Sequence, residues 1–377
     1  MNFALTNEQE AIKKMTREFA EKEIVPRSQE LDEEEKFPEE ILIKIDALGL
    51  SNLAVPEEYG GPGIDSISAS IIAEELARGC AGVATSAGCN SLALYPLIFG
   101  GSNNLKKKYL IPLCEKGKYA SFCLTEPSAG SDAQAVTTTA KKMGDHFIIN
   151  GNKCFITNGS YAHYMTVFAK VDGESKGLSV FMVDAETPGV SIGKKEKKMG
   201  IRASNTAEVI FDDVRIPAEN MIGNVGDGFK LAMQTLDHAR PTVGAMSVGL
   251  AQAAYEESIR YARERIQFGR PIANNQAIQF MLADMAVEIE TARLLVYQAS
   301  WLKDQGRPFS KESAMAKLYA SDIAMKVTTN AVQIFGGYGY SREYNVEKYM
   351  RDAKIMQIYE GTNQIQRLVI ANQILKH

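Results

Sequence analysis

An α+β fold, mainly α, is predicted by three observations. Apolar residues recur at helical spacing through the first 118 residues. Short runs rich in Phe, Val, Ile and Thr, parted by turn residues, fill 119–227. Helical spacing returns over 228–377 and includes one long apolar stripe. The expected order is therefore an N-terminal helical domain (1–118), a middle antiparallel β domain (119–227) and a C-terminal helical domain (228–377).

In the first region, Thr6 with Gln9 forms a capping box ahead of Ile12, Met15 and Phe19. Pro26 ends or bends that helix. Ile41, Ile45 and Leu48 mark a second helix, closed by Gly49. A turn cluster from Pro56 to Gly63 follows. Helical spacing resumes from Ile71 to Leu76 and again from Leu92. In the second region, strands are expected at Tyr119–Leu124, His146–Ile149, Lys153–Thr157, Met165–Val171, Leu178–Val183 and Glu208–Phe211. Gly144-Asp145 and Asn150-Gly151 read as turns between them. In the third, Ile278, Met281, Met285, Ile289, Ala292, Leu295, Ala299 and Leu302 recur every three to four residues, a bundle helix whose stripe belongs in a core. Gly336, Gly337 and Gly339 interrupt the pattern, and a last helix begins near Thr362.

The chain has 377 residues, enough for two or three domains at ~100–200 residues each. With 45% apolar and 23% charged residues it is an ordinary globular composition. The net charge of −4, with no basic run longer than Lys106–Lys108, argues against a nucleic-acid binder. No apolar stretch approaches the ~20 residues of a membrane span. The start of the chain lacks a signal-peptide pattern, so a cytoplasmic protein is expected, or a mitochondrial-matrix one if the chain is a processed mature form. Five widely spaced cysteines suggest reduced, buried thiols. Four scattered histidines offer no metal cluster. GxGxxG, the P-loop and GxSxG are all absent.

Three segments carry chemistry. Phe122-Cys-Leu-Thr-Glu-Pro-Ser-Ala-Gly-Ser-Asp132 ends a strand in a turn of small residues, which suits a planar polar ring or a phosphate but is equally a tight turn. In Lys153-Cys-Phe-Ile-Thr-Asn-Gly159, alternation sends Phe155 and Thr157 to one face, where they could meet a flat heterocycle. In Arg351–Arg367, Glu360 sits among apolar and aromatic residues before Gly361. An apolar setting raises a carboxyl pKa and makes a general base, though a plain loop glutamate has the same pattern.

Together and in this order, these segments resemble the signatures of the acyl-CoA dehydrogenase family. LTEPSAGSD is similar to its first flavin motif and MRDAKIMQIYEGTNQIQR to its C-terminal catalytic motif. TLDHARP, ARERIQFGRPI and AVQIFGGYGY extend the likeness over essentially the whole chain. The short-chain, butyryl-CoA-type enzymes are the nearest subgroup. The resemblance implies a β-barrel-like middle domain, a C-terminal four-helix bundle, FAD, a homotetramer and electron-transferring flavoprotein as partner. It implies α,β-dehydrogenation of a short-chain or compact cyclic or branched acyl-CoA. The base would be Glu360, the β-hydride would pass to the flavin, and the Glu360 N–H would help hold the enolate oxygen.

By motif position the resemblance assigns Phe122, Leu124, Thr125, Ser131, Phe155, Ile156 and Thr157 to the flavin. Arg265, Gln276, Gln333, Gly336, Gly337, Thr362 and Gln364 also fall to FAD, with Arg265 and Gln276 reaching a neighbouring subunit's cofactor. Ser131, Asp237, Arg240 and Gly361 fall to the substrate. Phe155 stands where many members have Trp, and His238 where short-chain members have a small residue. Ala87-Gly-Cys-Asn-Ser-Leu92 matches the acyl-pocket floor, with Asn90 and Ser91 suggesting polarity. The same site could run as an enoyl-CoA reductase. A nitroalkane oxidase or flavin monooxygenase on this fold would usually lack Glu360.

Overall fold

A computed structural model describes residues 4–115, 117–171 and 177–375. The first three residues, read above for a signal pattern, and His377 lie outside these. The N-terminal region holds α1 (Asn7–Phe19), α2 (Ser28–Glu33), α3 (Glu39–Ala47), α4 (Ser66–Gly79), α5 (Ala81–Gly100) and α6 (Asn103–Leu113). The capping box forms, with the Gln9 N–H donating to Thr6 Oγ1 at 3.2 Å and the Thr6 N–H to Gln9 Oε1 at 3.0 Å. Past Phe19 the chain widens into a π turn and then a 3₁₀ turn at Pro26, which bends the path into α2 rather than ending it.

The middle region carries β1 (Ala120–Cys123), β2 (Thr139–Met143), β3 (His146–Thr157), β4 (Tyr164–Val171), β5 (Leu178–Asp184), β6 (Val190–Lys195), β7 (Thr206–Pro217) and β8 (Met221–Ile222). The strand order is β6-β7-β3-β2-β4-β5-β8, with β1 also beside β4. Two expectations need correction. The sheet is mixed, because β4 pairs parallel with both β1 and β2. Asn150-Gly151 is not a turn: β3 runs through it with a register shift, and Thr138 lies so close that a Cβ at Gly151 would collide with it.

The C-terminal region holds α7 (Gly228–Glu264), α8 (Gln276–Asp304), α9 (Ser310–Phe335), α10 (Val346–Met356) and α11 (Asn363–Ile374). The α8 stripe is core at Met285, Ile289, Ala292, Ala299 and Leu302. The two helical regions share one apolar core, in which Leu76 and Ala77 join Val248, Ala251 and Ile289. Gly249 of α7 touches the backbone of α4, where a Cβ would lie 2.0 Å from the Glu74 carbonyl oxygen. Buried Glu74 of α4 and half-buried Arg293 of α8 also pair between the two helical regions, at 2.9 Å. Among the described residues no helix is long and apolar enough to cross a membrane.

Candidate active site

The three regions meet at a cleft of about 1050 Å³. α4 and α5 line one side, the segment after β1 and the end of β3 a second, and α7 with the 359–365 loop a third. The α4–α5 wall is apolar at Ile72, Leu76, Ala84, Ala87 and Leu92, whereas Thr125, Ser131, Thr157, Arg240 and Glu360 bring polar groups to the other walls. A mostly apolar recess with a few convergent polar groups is the usual form of a small-molecule site.

Glu360 lies between α10 and α11. Its φ is 52° and that of Gly361 is 93°, two successive left-handed residues. For a glutamate this costs on the order of 1–3 kcal/mol and persists only where neighbours impose it. Here Gln366 Nε2 donates to the Gly361 carbonyl at 2.7 Å and to that of Glu360 at 3.3 Å. Lys317 Nζ donates to the same Gly361 carbonyl at 2.9 Å. Thr362 caps α11 by accepting from the Ile365 N–H at 3.3 Å. Among the described residues the buried Glu360 Oε2 has no hydrogen-bond partner, a costly state that a bound ligand would relieve. Burial pushes its carboxyl up to about 7, against the pull of Lys317 and Arg240. A carboxylate in that range both ionises and accepts a proton near neutrality.

Arg240, 2% exposed, sits on α7 and pairs with Asp237 Oδ1 at 2.5 Å. Its Nε has no hydrogen-bond partner among the described residues. Pro241 has no N–H to give the Asp237 carbonyl four residues back. Ser313 Oγ of α9 fills that gap, donating at 2.6 Å. The proline that weakens α7 thus ties it to α9 beside the cleft. Asp237 itself does not line the cleft; it acts on Arg240.

On the sheet side, Phe122, Leu124, Thr125, Ser131, Phe155, Ile156 and Thr157 all line the cleft. Phe155 has φ 57° and is 64% exposed, at a register shift between Lys153 and Ile156. The simple alternation expected for this strand is broken there, yet Phe155 and Thr157 still reach the cleft. The sequence reading missed what holds this wall. Lys153, wholly buried, donates to Glu126 Oε1 at 2.8 Å and to the Leu124 carbonyl at 3.1 Å. Burial would raise the Glu126 carboxyl, but Lys153 with the Thr137 and Thr138 donors brings it down to about 2. A lysine inside an apolar strand run was the available signal. Lys317 was missed too, a lone lysine among the small residues Ala314, Ala316 and Ala320 of α9.

Other expected residues separate from the cleft. Arg265, Gln276, Gln333, Gly336 and Gly337 do not line it. Arg265 lies over the Tyr338 ring at 5.4 Å, beside a smaller surface recess. Gly336 has φ 62° and ψ −134°, a backbone state that requires glycine. Thr362 and Gly361 line the cleft, while Gln364 is exposed and does not. Asn90 is a correction: its amide is spent on Asn52 Oδ1, the Lys118 carbonyl and the Ala120 N–H, so it braces the wall from behind. Ser91 accepts from the Ala54 N–H at 3.3 Å. The floor is consequently less polar than its sequence suggests. His238 packs among Tyr95, Phe99 and Phe309, donates Nδ1–H to the Gln234 carbonyl, and is driven down to about 4 by burial. A neutral imidazole fills space at the cleft edge.

Three family models match the chain in succession. They are the acyl-CoA dehydrogenase N-terminal domain at residues 6–117, the middle domain at 121–214 and the C-terminal domain at 226–375. The chain is 47% identical to a short-chain-specific acyl-CoA dehydrogenase of Clostridium acetobutylicum, covering all of both chains. It is 46% identical to an acryloyl-CoA reductase (NADH) of Anaerotignum propionicum, over 100% of this chain and 96% of that one. Among solved structures, butyryl-CoA dehydrogenase from Megasphaera elsdenii superposes with TM-score 0.97 at 46% identity, covering both chains fully. A chain from a structure of the Acidaminococcus fermentans electron-transferring flavoprotein gives 0.98 at 47%, again over both full lengths. A Bacillus anthracis acyl-CoA dehydrogenase complexed with FAD gives 0.93 at 36%, over 98% of this chain and 67% of that one.

Proposed function

Because the chain belongs to the acyl-CoA dehydrogenase family, FAD-dependent oxidoreductases, we propose that it desaturates a short-chain or compact acyl-CoA between Cα and Cβ, with Glu360 as the base. One observation carries this reading: a carboxylate with an unpartnered oxygen, shifted to about 7, faces the cleft from a strained loop.

The chain's own groups divide the work. Glu360 takes the α-proton and holds it on its carboxyl. Among the described residues the Glu360 N–H has no acceptor, leaving it free for a thioester oxygen as negative charge develops there. Arg240 favours the ionised carboxylate before proton transfer. The apolar α4–α5 wall suits an acyl chain and excludes water. The residues present fit a flavin: Phe122 and Phe155 offer flat apolar faces, Thr125, Thr157 and Ser131 offer hydroxyls, and a Cβ at Gly130 would meet open space. When bound, FAD supplies the acceptor for the hydride leaving Cβ.

A homotetramer is part of the proposal, with domain boundaries near 118 and 228. Phe268, between the short antiparallel strands Ile266–Gln267 and Arg270–Pro271, is 97% exposed, and Phe280, Val287, Leu294 and Trp301 form an exposed row along α8 at seven-residue steps. Such an apolar face suits burial against another copy. Electron-transferring flavoprotein is the partner we favour, on the likeness to the Acidaminococcus chain. The likeness to an acryloyl-CoA reductase supports a second reading, the same chemistry run toward the saturated acyl-CoA.

The test is anaerobic bleaching of the flavin absorbance by acyl-CoAs. Butyryl-, hexanoyl-, isovaleryl- and cyclohexanecarboxyl-CoA span the proposed range, and glutaryl- and octanoyl-CoA bracket it. Bleaching by at least one of the first four is expected; bleaching by none of the six rejects the substrate class.

A further inference from the structure

We propose that Lys317 is a positioning residue for the α-proton transfer: its ammonium fixes the Gly361 carbonyl, and with it the left-handed Glu360 backbone, while holding the Glu360 carboxyl ionised. The inference rests on Glu360 being the base and assigns a role to a side chain that the sequence left unmarked.

Lys317 is wholly buried on α9, one helix away from the loop that it controls. A buried ammonium ordinarily bonds a carboxylate. This one bonds two neutral oxygens instead, the Gly361 carbonyl and Asn363 Oδ1, each at 2.9 Å. Among the described residues no carboxylate lies within 4.0 Å of it, so its charge is not spent in a contact pair. Asn363 is itself fixed, donating to Asp322 Oδ1 at 2.7 Å and to Ser321 Oγ at 2.9 Å. The lysine thus stands on a rigid base and holds the Gly361 carbonyl, which Gln366 holds together with that of Glu360.

The charges around Glu360 can be counted by element. From α9 come Lys317 and, behind it, Asp322. From α7 comes Arg240, largely offset by Asp237. From α5 comes Cys89, a thiol kept neutral by burial, and beside Glu360 stands Tyr359, likewise neutral. Among the described residues two cations therefore face the carboxylate, and of these two Arg240 alone has a carboxylate of its own in contact. Burial lowers the Lys317 ammonium to about 7 while Glu360 rises to about 7, so the two groups compete for one proton. Removing the lysine charge removes a force that favours the ionised base, and the base must then titrate at higher pH.

The test uses the flavin-loaded enzyme and three variants. Lys317→Gln keeps a donor without the charge, Lys317→Met removes both, and Lys317→Arg keeps both and guards against loss of fold. The pH profile of kcat/KM reports ionisation of the free enzyme's base. In Lys317→Gln the rising limb is expected to move up by about one pH unit, costing roughly five- to tenfold at pH 7 and about twofold or less at pH 9. Lys317→Met should add a loss in kcat at every pH, from the released loop, with KM little changed. Lys317→Arg should keep the limb within a few tenths of a unit of wild type. An unmoved limb in flavin-loaded Lys317→Gln, or a limb moved equally in Lys317→Arg, overturns the proposal. Glu360→Gln, run beside them, separates the two ideas: if it keeps wild-type turnover, the base assignment fails; if it is inactive while the Lys317 limb stays put, only the lysine role fails.

Discussion

The cleft around Glu360 and the exposed ridge of Arg265, Phe268 and Gly336 are built in opposite ways. In the cleft, the charged residues are held from within the chain: the backbone at Glu360 and Gly361 by Gln366 and Lys317, Arg240 by Asp237, and Glu126 by Lys153. On the ridge the residues are conspicuous but unsupported. Phe268 is almost fully exposed, the Arg265 guanidinium lies over the Tyr338 ring, and Gly336 and Gly337 face open space. The contrast fits the proposal that one chain carries the proton chemistry, whereas Arg265 and Gln276, which stand off the cleft, serve the cofactor of a second copy.

That contrast can be broken by substitution. Glu360→Gln should lose roughly 10²–10⁴-fold in turnover while keeping its flavin, since a general base is worth about that much. Steady-state turnover with visible absorbance checks both halves. Arg265→Ala acts on the other region. It should weaken flavin retention by about tenfold, measured by dialysis against low FAD, with turnover restored when FAD is added in excess, because a guanidinium fork is a strong phosphate partner. Full retention in that variant would remove the ridge from the cofactor site. The smallest effect concerns the acyl end. Gly88 lines the cleft, and a Cβ there meets no atom. Gly88→Leu should therefore fold normally and lower kcat/KM for hexanoyl-CoA severalfold relative to butyryl-CoA, on the scale of ~0.8 kcal/mol per displaced methylene. An unchanged chain-length profile would move the acyl group away from α5.

Much of this was legible in the sequence, for identifiable reasons. The helices announced themselves through periodicity and caps, as at Thr6 and Thr362, because those signals are local. The apolar neighbours of Glu360 fit a plain loop glutamate equally well, and it was the likeness of MRDAKIMQIYEGTNQIQR to a family motif that singled it out. What stayed hidden depends on contacts distant in sequence. Lys153 and Glu126 are separated by 27 residues, and Lys317 and Gly361 by 44, so nothing in either stretch alone implies the pair. Asn90 misled for the same reason: its polarity is real but is consumed by Asn52 and Ala120 behind the wall. The parallel pairing of β4 with β1 and β2 was equally out of reach, since strand periodicity does not encode direction.

Where the α-proton goes decides whether Glu360 is the base. Wild-type enzyme with bound FAD, incubated anaerobically with an acyl-CoA substrate in D₂O, should exchange α-hydrogen for deuterium, read by mass spectrometry of the recovered thioester. Glu360→Gln, with its flavin in place, should show exchange no faster than substrate without enzyme. Exchange at the wild-type rate in that variant would contradict the assignment of Glu360 as the base.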